Sequence, residues 1–481
     1  MNFRRIAHIL GLVLFVLAAA QLVPLAWALI PYDEQAATGL LLGIAVTAAV
    51  GVTLRLVGDD QGELYRREGV VVVVGSWLMA SLAGALPYVV SGAIPSVVDA
   101  LFESASGFTT TGASILTDIE AMPRALLFWR SMTQWLGGIG IVVLFVALLS
   151  ELGPGARFLF KLEVPGPKAE ILHARVRETA VALFRIYLAL SAAQVAGMLL
   201  LGTSFFDALT HTFSTVSTGG FSPYAASVAH FGAPLQLLIL VFMLAAGINF
   251  ALYYAIAHGG LAVATRDLEL RTYLGLVLAT SGLVALDVFL DGTIPNAARA
   301  ALDASFQVVS IVTTTGFATA DFAQWPGMSH AALAALMFVG GCAGSTAGGA
   351  KIIRFLIGAR VALREVRLTF SPNAVVAIAV GDQIVPEESA RAVISLLLMW
   401  VIGWGAGALL LSVGGADILT AATASLATVS NIGPGLSDVG PTESFAFFAD
   451  WQKLVMVLLM WLGRLEFFAV VALLMPRFWQ R

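Results

Sequence analysis

The sequence predicts an all-α polytopic membrane protein. Four related units follow one another, each a helix, a short re-entrant turn and a second helix, and two extra N-terminal helices precede them. Three observations predict this. The 481 residues are 59% hydrophobic and 12% charged, with a mean hydropathy of +0.90, whereas soluble domains carry about 25% charged residues. Ten apolar runs have the length needed to cross a bilayer. Finally, the stretch "IVTTTGFATAD" at 311–321 is too polar and too glycine-broken for a span, and its pattern recurs.

The first run, 6–30, follows Arg4 and Arg5 and contains "AWA" at 26–28, which mimics a signal-peptide cleavage site. It exceeds the usual apolar core of about 7–15 residues, so a retained helix is expected. The other runs lie near 36–57, 69–92, 124–149, 180–202, 234–258, 272–290, 331–357, 392–413 and 453–475. Four shorter apolar stretches remain, near 99–112, 207–220, 303–316 and 417–433. The units are expected at 67–178, 179–270, 271–370 and 371–481, after a two-helix segment at 1–66.

Lys and Arg set the orientation. Arg4, Arg5, Arg55, Arg66, Arg67, Arg157, Lys161, Lys168, Arg175, Arg177, Arg266, Arg271, Arg354, Arg360, Arg364, Arg367, Arg477 and Arg481 fall on one side. Only Arg124, Arg130, Arg299 and Lys453 fall on the other. Both termini are therefore expected in the cytoplasm, and the four short stretches on the outer side.

Those stretches align. "DALFESASGFTTTGAS" from Asp99, "DALTHTFSTVSTGGFS" from Asp207 and "DASFQVVSIVTTTGFA" from Asp303 each reach a glycine thirteen residues after the aspartate: Gly112, Gly220 and Gly316. The fourth, "ASLATVSNIGPGLS", keeps the shape, but Asp417 stands sixteen residues before Gly433. The aspartates are expected to cap short re-entrant helices. Irregular backbone at membrane depth is tolerated only against a water-filled cavity or inside protein. One "TTTG" alone would read as a plain turn. Four at matched positions read as strands around a pseudo-fourfold pore, their glycines freeing the backbone so that carbonyls face a dehydrated cation. The candidate ligands are Thr110, Thr111 and Gly112; Thr218, Gly219 and Gly220; Thr314, Thr315 and Gly316; and Asn431, Ile432 and Gly433.

The motifs "SGFTTTGAS", "STVSTGGFS", "VTTTGF" and "VSNIGPG" resemble those of the Trk/Ktr/HKT superfamily of potassium transporters, over nearly the whole chain from about Val70. The two helices ahead of the first unit make it similar to the TrkH-type bacterial branch. The resemblance implies a four-unit pore and potassium as the transported ion. It also implies a homodimer in the bacterial inner membrane with a TrkA-like cytoplasmic nucleotide-binding regulatory subunit. A single glycine per strand predicts looser sorting of potassium, rubidium and sodium than a longer filter gives.

Arg464, in "MWLGRLEFF", costs at least ~2.5–3.5 kcal/mol at mid-bilayer. It reads either as a structural ion pair with another helix or as a positive charge below the filter, and the resemblance favours the second. Glu466 is two residues away and does not share its helix face. "FVGGCAGSTAGGAKIIRF" at 338–355 disfavours continuous helix. As a phosphate-binding loop its spacing fails, because Ala350 separates Gly349 from Lys351 and no Ser or Thr follows. Gly340, Gly341, Gly344, Ser345, Thr346, Gly348 and Gly349 are read instead as a flexible plug, and the resemblance implies an intramembrane gate. "GGIG" at 137–140 and "GWGAG" at 403–407 read as close helix packing.

Cys342 is the one cysteine, and the six histidines lack metal-ligand spacing. Asp99, Glu103, Asp118, Glu120, Asp438, Glu443 and Asp450 read as solvated outer carboxylates that concentrate cations. No catalytic constellation appears, so an enzyme is not expected, and nucleic acid is not expected as a partner. The basic loops suit lipid headgroups or a cytoplasmic partner. The competing reading is a secondary symporter coupling potassium to protons or sodium. Inverted repeats would favour it, whereas these repeats share one orientation.

Overall fold

The computed structural model describes residues 1–59, 65–151, 172–381 and 383–480. Arg157, Lys161, Lys168 and Arg481 lie outside the described residues, as do the side chains of Arg66, Arg175 and Arg177. Nearly all the rest is helix, as the sequence predicts.

Helices α1 (Phe3–Leu29) and α2 (Glu34–Val57) form the N-terminal hairpin. Their backbones meet closely: a Cβ on Gly11 would stand 2.8 Å from the Gly51 carbonyl oxygen. Small residues allow such contact between helices in lipid, where apolar surface alone gives no drive to associate. The hairpin packs on the first unit, where Gln21 donates to the Ala83 carbonyl at 3.3 Å.

The first unit is α3 (Arg66–Val90), the pore helix α4 (Val97–Phe108) and α5 (Arg124–Glu151). The second is α6 (Leu172–Leu200), the pore helix α7 (Phe205–Val216), then α8 (Ala233–Ala246) and α9 (Phe250–Gly259). A short α10 (Ala262–Arg266) leads to the third: α11 (Leu268–Leu290), the pore helix α12 (Ala297–Val312), α13 (Gly327–Val339) and α14 (Ile352–Phe370). A two-residue antiparallel hairpin, Ala379–Val380 with Gln383–Ile384, precedes the fourth. That unit is α15 (Glu387–Val413), the pore helix α16 (Ile418–Val429), then α17 (Asp450–Arg464) and α18 (Phe468–Leu474).

Besides the glycine-rich run at 331–357, which stops between α13 and α14, two expected spans are broken. The run at 234–258 bends by 87° between α8 and α9, and the run at 453–475 bends by 120° between α17 and α18. Among the described residues, six helices are long and apolar enough to cross a membrane unbroken. Both breaks find partners for their backbone groups, as membrane depth requires: the first partly from other elements, the second from its own preceding turn, where the N–H groups of Leu465, Glu466 and Phe467 donate to the carbonyls of Trp461, Gly463 and Leu462. At the first, the side chain of Asn249 accepts the Ala251 N–H, while the Tyr253 and Tyr273 hydroxyls donate to the Ala245 and Leu244 carbonyls. At the second, Glu466 and Phe467 both take positive φ, near 56°. That conformation costs about 1–2 kcal/mol per residue. Burial of Phe467 against Gly403, where a Cβ would lie 2.6 Å from the ring, opposes that cost.

The pore-helix caps differ from expectation in three units. Ser96 and Ser204 cap α4 and α7, accepting the N–H of Asp99 and Asp207, which sit one turn inside. Asn296 caps α12, which is one turn longer, so Asp303 falls mid-helix and pairs with Arg299 at 2.7 Å. Only Asp417 caps as predicted. The aspartate register is real, but it follows the filter glycine and not the helix start. A serine three residues earlier is as good a cap.

Candidate functional site

All four pore helices end in one backbone pattern. A non-glycine residue turns to positive φ: Thr110 (53°), Thr218 (56°), Thr314 (58°) and Asn431 (56°). Two residues later comes a positive-φ glycine: Gly112, Gly220, Gly316 and Gly433. Between them, the N–H of Thr111, Gly219, Thr315 or Ile432 returns to the helix, to Ser106, Ser214, Ser310 or Ala427 respectively, at 2.8–2.9 Å. The helix end therefore consumes the turn's donors, in the manner of a C-terminal helix cap.

The four turns close on one another. A Cβ on Gly112 would lie 2.2 Å from the Gly219 carbonyl oxygen, and one on Gly220 would lie 1.8 Å from that of Thr315. One on Gly316 would lie 2.1 Å from the Ile432 oxygen, and one on Gly433 would lie 2.9 Å from the Thr111 oxygen. Each glycine thus abuts the next unit's carbonyl in the order first, second, third, fourth, first. Only a closed ring satisfies that order. Among the described residues, the ring carbonyls at 110–112, 218–220, 314–316 and 431–433 accept no protein hydrogen bond, apart from Gly219's. Buried carbonyls are ordinarily paired, so this ring is built for water or a cation. The hydroxyl of Thr110 and the side-chain oxygen of Asn431 are likewise buried without a partner. Above the ring, all four glycines line a cavity of about 240 Å³ with Ser222, Tyr224 and Glu443 in its wall. Burial, and then the Asp207 carboxylate that its hydroxyl donates to, push Tyr224 up to about 12, so it stays a neutral donor.

A brace supports each strand as it leaves the ring. The brace residue sits on the pore helix nine positions before the glycine in three units and ten in the fourth. Glu103 accepts from the Ser114 hydroxyl and the Ile115 N–H at 3.0 Å. His211 bonds the Ser222 hydroxyl at 3.2 Å, and Gln307 meets Thr319 and Ala320. Thr423 accepts the Leu436 N–H at 3.0 Å. The expectation that Glu103 is a solvated mouth carboxylate is therefore wrong. It is fully buried and paired with Arg130, whose guanidinium also donates to the Ser222 carbonyl at 2.9 Å and lies 3.6 Å over the Phe221 ring. Removing one member of such a pair typically costs about 3–5 kcal/mol. Asp99 is also paired, with Lys453.

Beneath the ring runs the glycine-rich segment between α13 and α14. Gly340, Gly344 and Gly349 have positive φ, and Gly340 and Gly349 touch: a Cβ on Gly349 would lie 2.8 Å from Gly340 Cα, and one on Gly340 3.0 Å from Gly349 Cα. The segment bonds to the other units. The Gly348 N–H donates to the Thr314 hydroxyl at 2.6 Å, and the Gly349 N–H to the Ser430 carbonyl at 2.9 Å. The Thr346 hydroxyl donates to Val216, the last residue of α7, at 2.9 Å, and the Ser345 hydroxyl to the Cys342 carbonyl. The Cys342 N–H and the Gly344 carbonyl satisfy Gly247 and Phe250 at the first helix break. The side chain of Glu269 accepts the N–H groups of Ala343 and Ile353, holding both flanks. Arg464 donates to the Thr346 carbonyl at 2.9 Å and, at 3.5 Å, to Gly137. It has no carboxylate partner among the described residues; Glu466 pairs instead with Arg354 at 2.7 Å.

The chain matches a family described as "TrkH: Cation transport protein" over residues 38–481. The chain belongs to the TrkH family. It is 37% identical, over the full length of both chains, to the "Trk system potassium uptake protein TrkH" of Salmonella typhimurium and to that of Vibrio parahaemolyticus. It is 32% identical to the "Trk system potassium uptake protein TrkG" of Escherichia coli, over all of this chain and 99% of the other. The crystal structure of the potassium transporter TrkH from Vibrio parahaemolyticus superposes with a TM-score of 0.90 at 35% identity, covering both chains entirely. As a TrkH-family member the chain is a multi-pass membrane transport protein with four fused units around a pseudo-fourfold pore, and not an enzyme.

In this TrkH-family chain the structure brings the twelve candidate filter residues read from the sequence together around one ring, with Arg464 and the glycine-rich segment beneath it. Gly137 and Gly407 pack closely, as "GGIG" and "GWGAG" predicted: a Cβ on Gly137 would lie 1.8 Å from the Phe108 carbonyl, and one on Gly407 2.4 Å from the Ser425 hydroxyl. Sequence reasoning missed the Arg130 brace, the Glu269 clamp and Gln134. The available signal was polarity inside apolar runs, as in "RSMTQW" at 130–135.

Proposed function

We propose that this chain carries potassium into the cell through the ring of filter turns, with the glycine-rich segment as its gate. The observation that carries the reading is the closed ring of glycine-to-carbonyl contacts, with its carbonyls left free of protein donors. Such oxygens can replace the hydration shell of a monovalent cation. The relatives named as potassium uptake proteins support potassium as that cation. Thr110 to Gly112, Thr218 to Gly220, Thr314 to Gly316 and Asn431 to Gly433 are the proposed ligands. Arg464 and the loop it holds occlude the path below them when closed. The excess of Lys and Arg opposite the cavity supports an inner-membrane orientation with cytoplasmic termini. The basic helix α14, leading directly from the loop, suits a pull from a TrkA-like nucleotide-binding subunit on a homodimer.

The test is flux through purified protein in liposomes with potassium, rubidium, sodium and caesium outside in turn. Potassium and rubidium flux well above sodium, following the membrane potential without a pH or sodium gradient, is the expected result. Flux that requires a proton or sodium gradient would replace the pore with a symporter. Absence of cation flux in folded protein would overturn the reading.

A further inference from the structure

The second filter strand lacks something the other three have. The residue before the ring glycine is Thr111, Thr315 or Ile432 in the first, third and fourth units, but Gly219 in the second. In the first and third units that threonine's hydroxyl meets Thr109 or Thr313 of its own turn at 2.8 Å. Gly219 has no side chain to do this, and its backbone is not left-handed. Conformational freedom therefore does not explain the glycine. Space does: a Cβ there would lie 2.4 Å from the side-chain carbon of Gln134, which is fully buried on α5 of the neighbouring unit. Gln134 Nε2 donates to the Gly219 carbonyl at 2.6 Å, and its Oε1 accepts the Phe221 N–H at 3.0 Å. The two bonds grip the backbone on either side of Gly220 and together fix which way the amide points. Gly219's is also the carbonyl against which Gly112 seats.

We propose that Gln134 is a positioning residue for ion selection. It stands in for the side chain that Gly219 lacks and holds the second strand at the ring's width. Because its amide takes up one ring carbonyl, the layer formed by Thr111, Gly219, Thr315 and Ile432 offers three free oxygens and one bonded one. The layer is therefore unequal by construction. Loss of Gln134 lets this strand shift toward the axis, where a smaller ion is better bound. The inference rests on the reading of these turns as an ion filter.

The test measures the potassium-to-sodium flux ratio in liposomes for Gln134→Met, Gly219→Thr and the exchange Gln134→Ala with Gly219→Thr. Gln134→Met keeps the volume but neither bond, and the ratio should fall at least roughly three- to tenfold, the scale of losing one of the two hydrogen bonds, while flux persists. Gly219→Thr alone collides with Gln134 and should lose flux. The exchange gives this strand the arrangement of the first and third units, and should restore both flux and ratio. A folded Gln134→Met with the wild-type ratio, or a Gly219→Thr that behaves as wild type, overturns the proposal. If Gln134→Met does not fold, the exchange decides alone: selective flux supports the role, and unselective or absent flux overturns it. A wild-type protein that itself fails to sort cations refutes the filter reading instead.

Discussion

At the scale of single residues, the ring glycines are where geometry constrains sequence most. Gly316 combines φ near 81° with a Cβ direction that points 2.1 Å from the Ile432 oxygen. Serine there meets both the left-handed penalty of about 1–2 kcal/mol and a backbone atom that belongs to the neighbouring strand. The strands must part, and the ring widens on one side. Gly316→Ser should therefore lower the potassium-to-sodium flux ratio by roughly tenfold or more, the equivalent of about 1.4 kcal/mol; an unchanged ratio would remove Gly316 from the filter. These glycines were legible in the sequence because the same spacing recurs and only glycine accepts the site. Gln134 and Arg130 were not. Each occurs once, and what each does depends on a strand from another unit, 85 and 92 residues away along the chain.

At the scale of elements, the helix breaks were the hidden feature. Hydropathy averages over a window, so 234–258 and 453–475 read as continuous although each turns sharply inside. The glycine-rich break was legible because glycine weakens helix at every position it occupies. The other two breaks depend on what caps them: Asn249, two tyrosine hydroxyls and the loop itself at one, and Phe467 burial at the other. Arg464 sits at the end of α17, beside the second break, with its charge spread over carbonyls and, among the described residues, no carboxylate to cancel it. On the proposed reading, a cation directly under the cation path is a barrier, and its bond to Thr346 holds the proposed gate loop across that path. Arg464→Ala removes both effects at once. Cation flux should rise several-fold, roughly the threefold to thirtyfold that about 0.7–2 kcal/mol supplies, with the potassium-to-sodium ratio unchanged because the ring is untouched. Reduced flux from a folded variant would show instead that Arg464 holds the pore together.

At the scale of the whole molecule, orientation follows from a physical asymmetry and not from any single contact. The cavity above the ring lies at the end where the pore helices begin. The opposite end gathers both termini: the Asn2 N–H donates to Glu68, and Arg67 donates to the Gln480 carbonyl. This gathering of the ends was legible as an even number of crossings, whereas the interlocking of units one to four was not, since no spacing encodes which strand neighbours which. The sequence assigns most of the Lys and Arg to the end that carries the termini, and translocating such segments outward is disfavoured. Cysteine scanning tests the result. Thr293, in the exposed turn before α12, and Asn373, in the exposed connector after α14, lie at opposite ends. Thr293→Cys should react with a membrane-impermeant thiol reagent applied to intact cells, and Asn373→Cys only after the membrane is opened. The native Cys342 is buried and stays silent in both. Reversed labelling would put the cavity on the cytoplasmic face, and the proposed direction of uptake, from cavity through ring to gate, would fall with it.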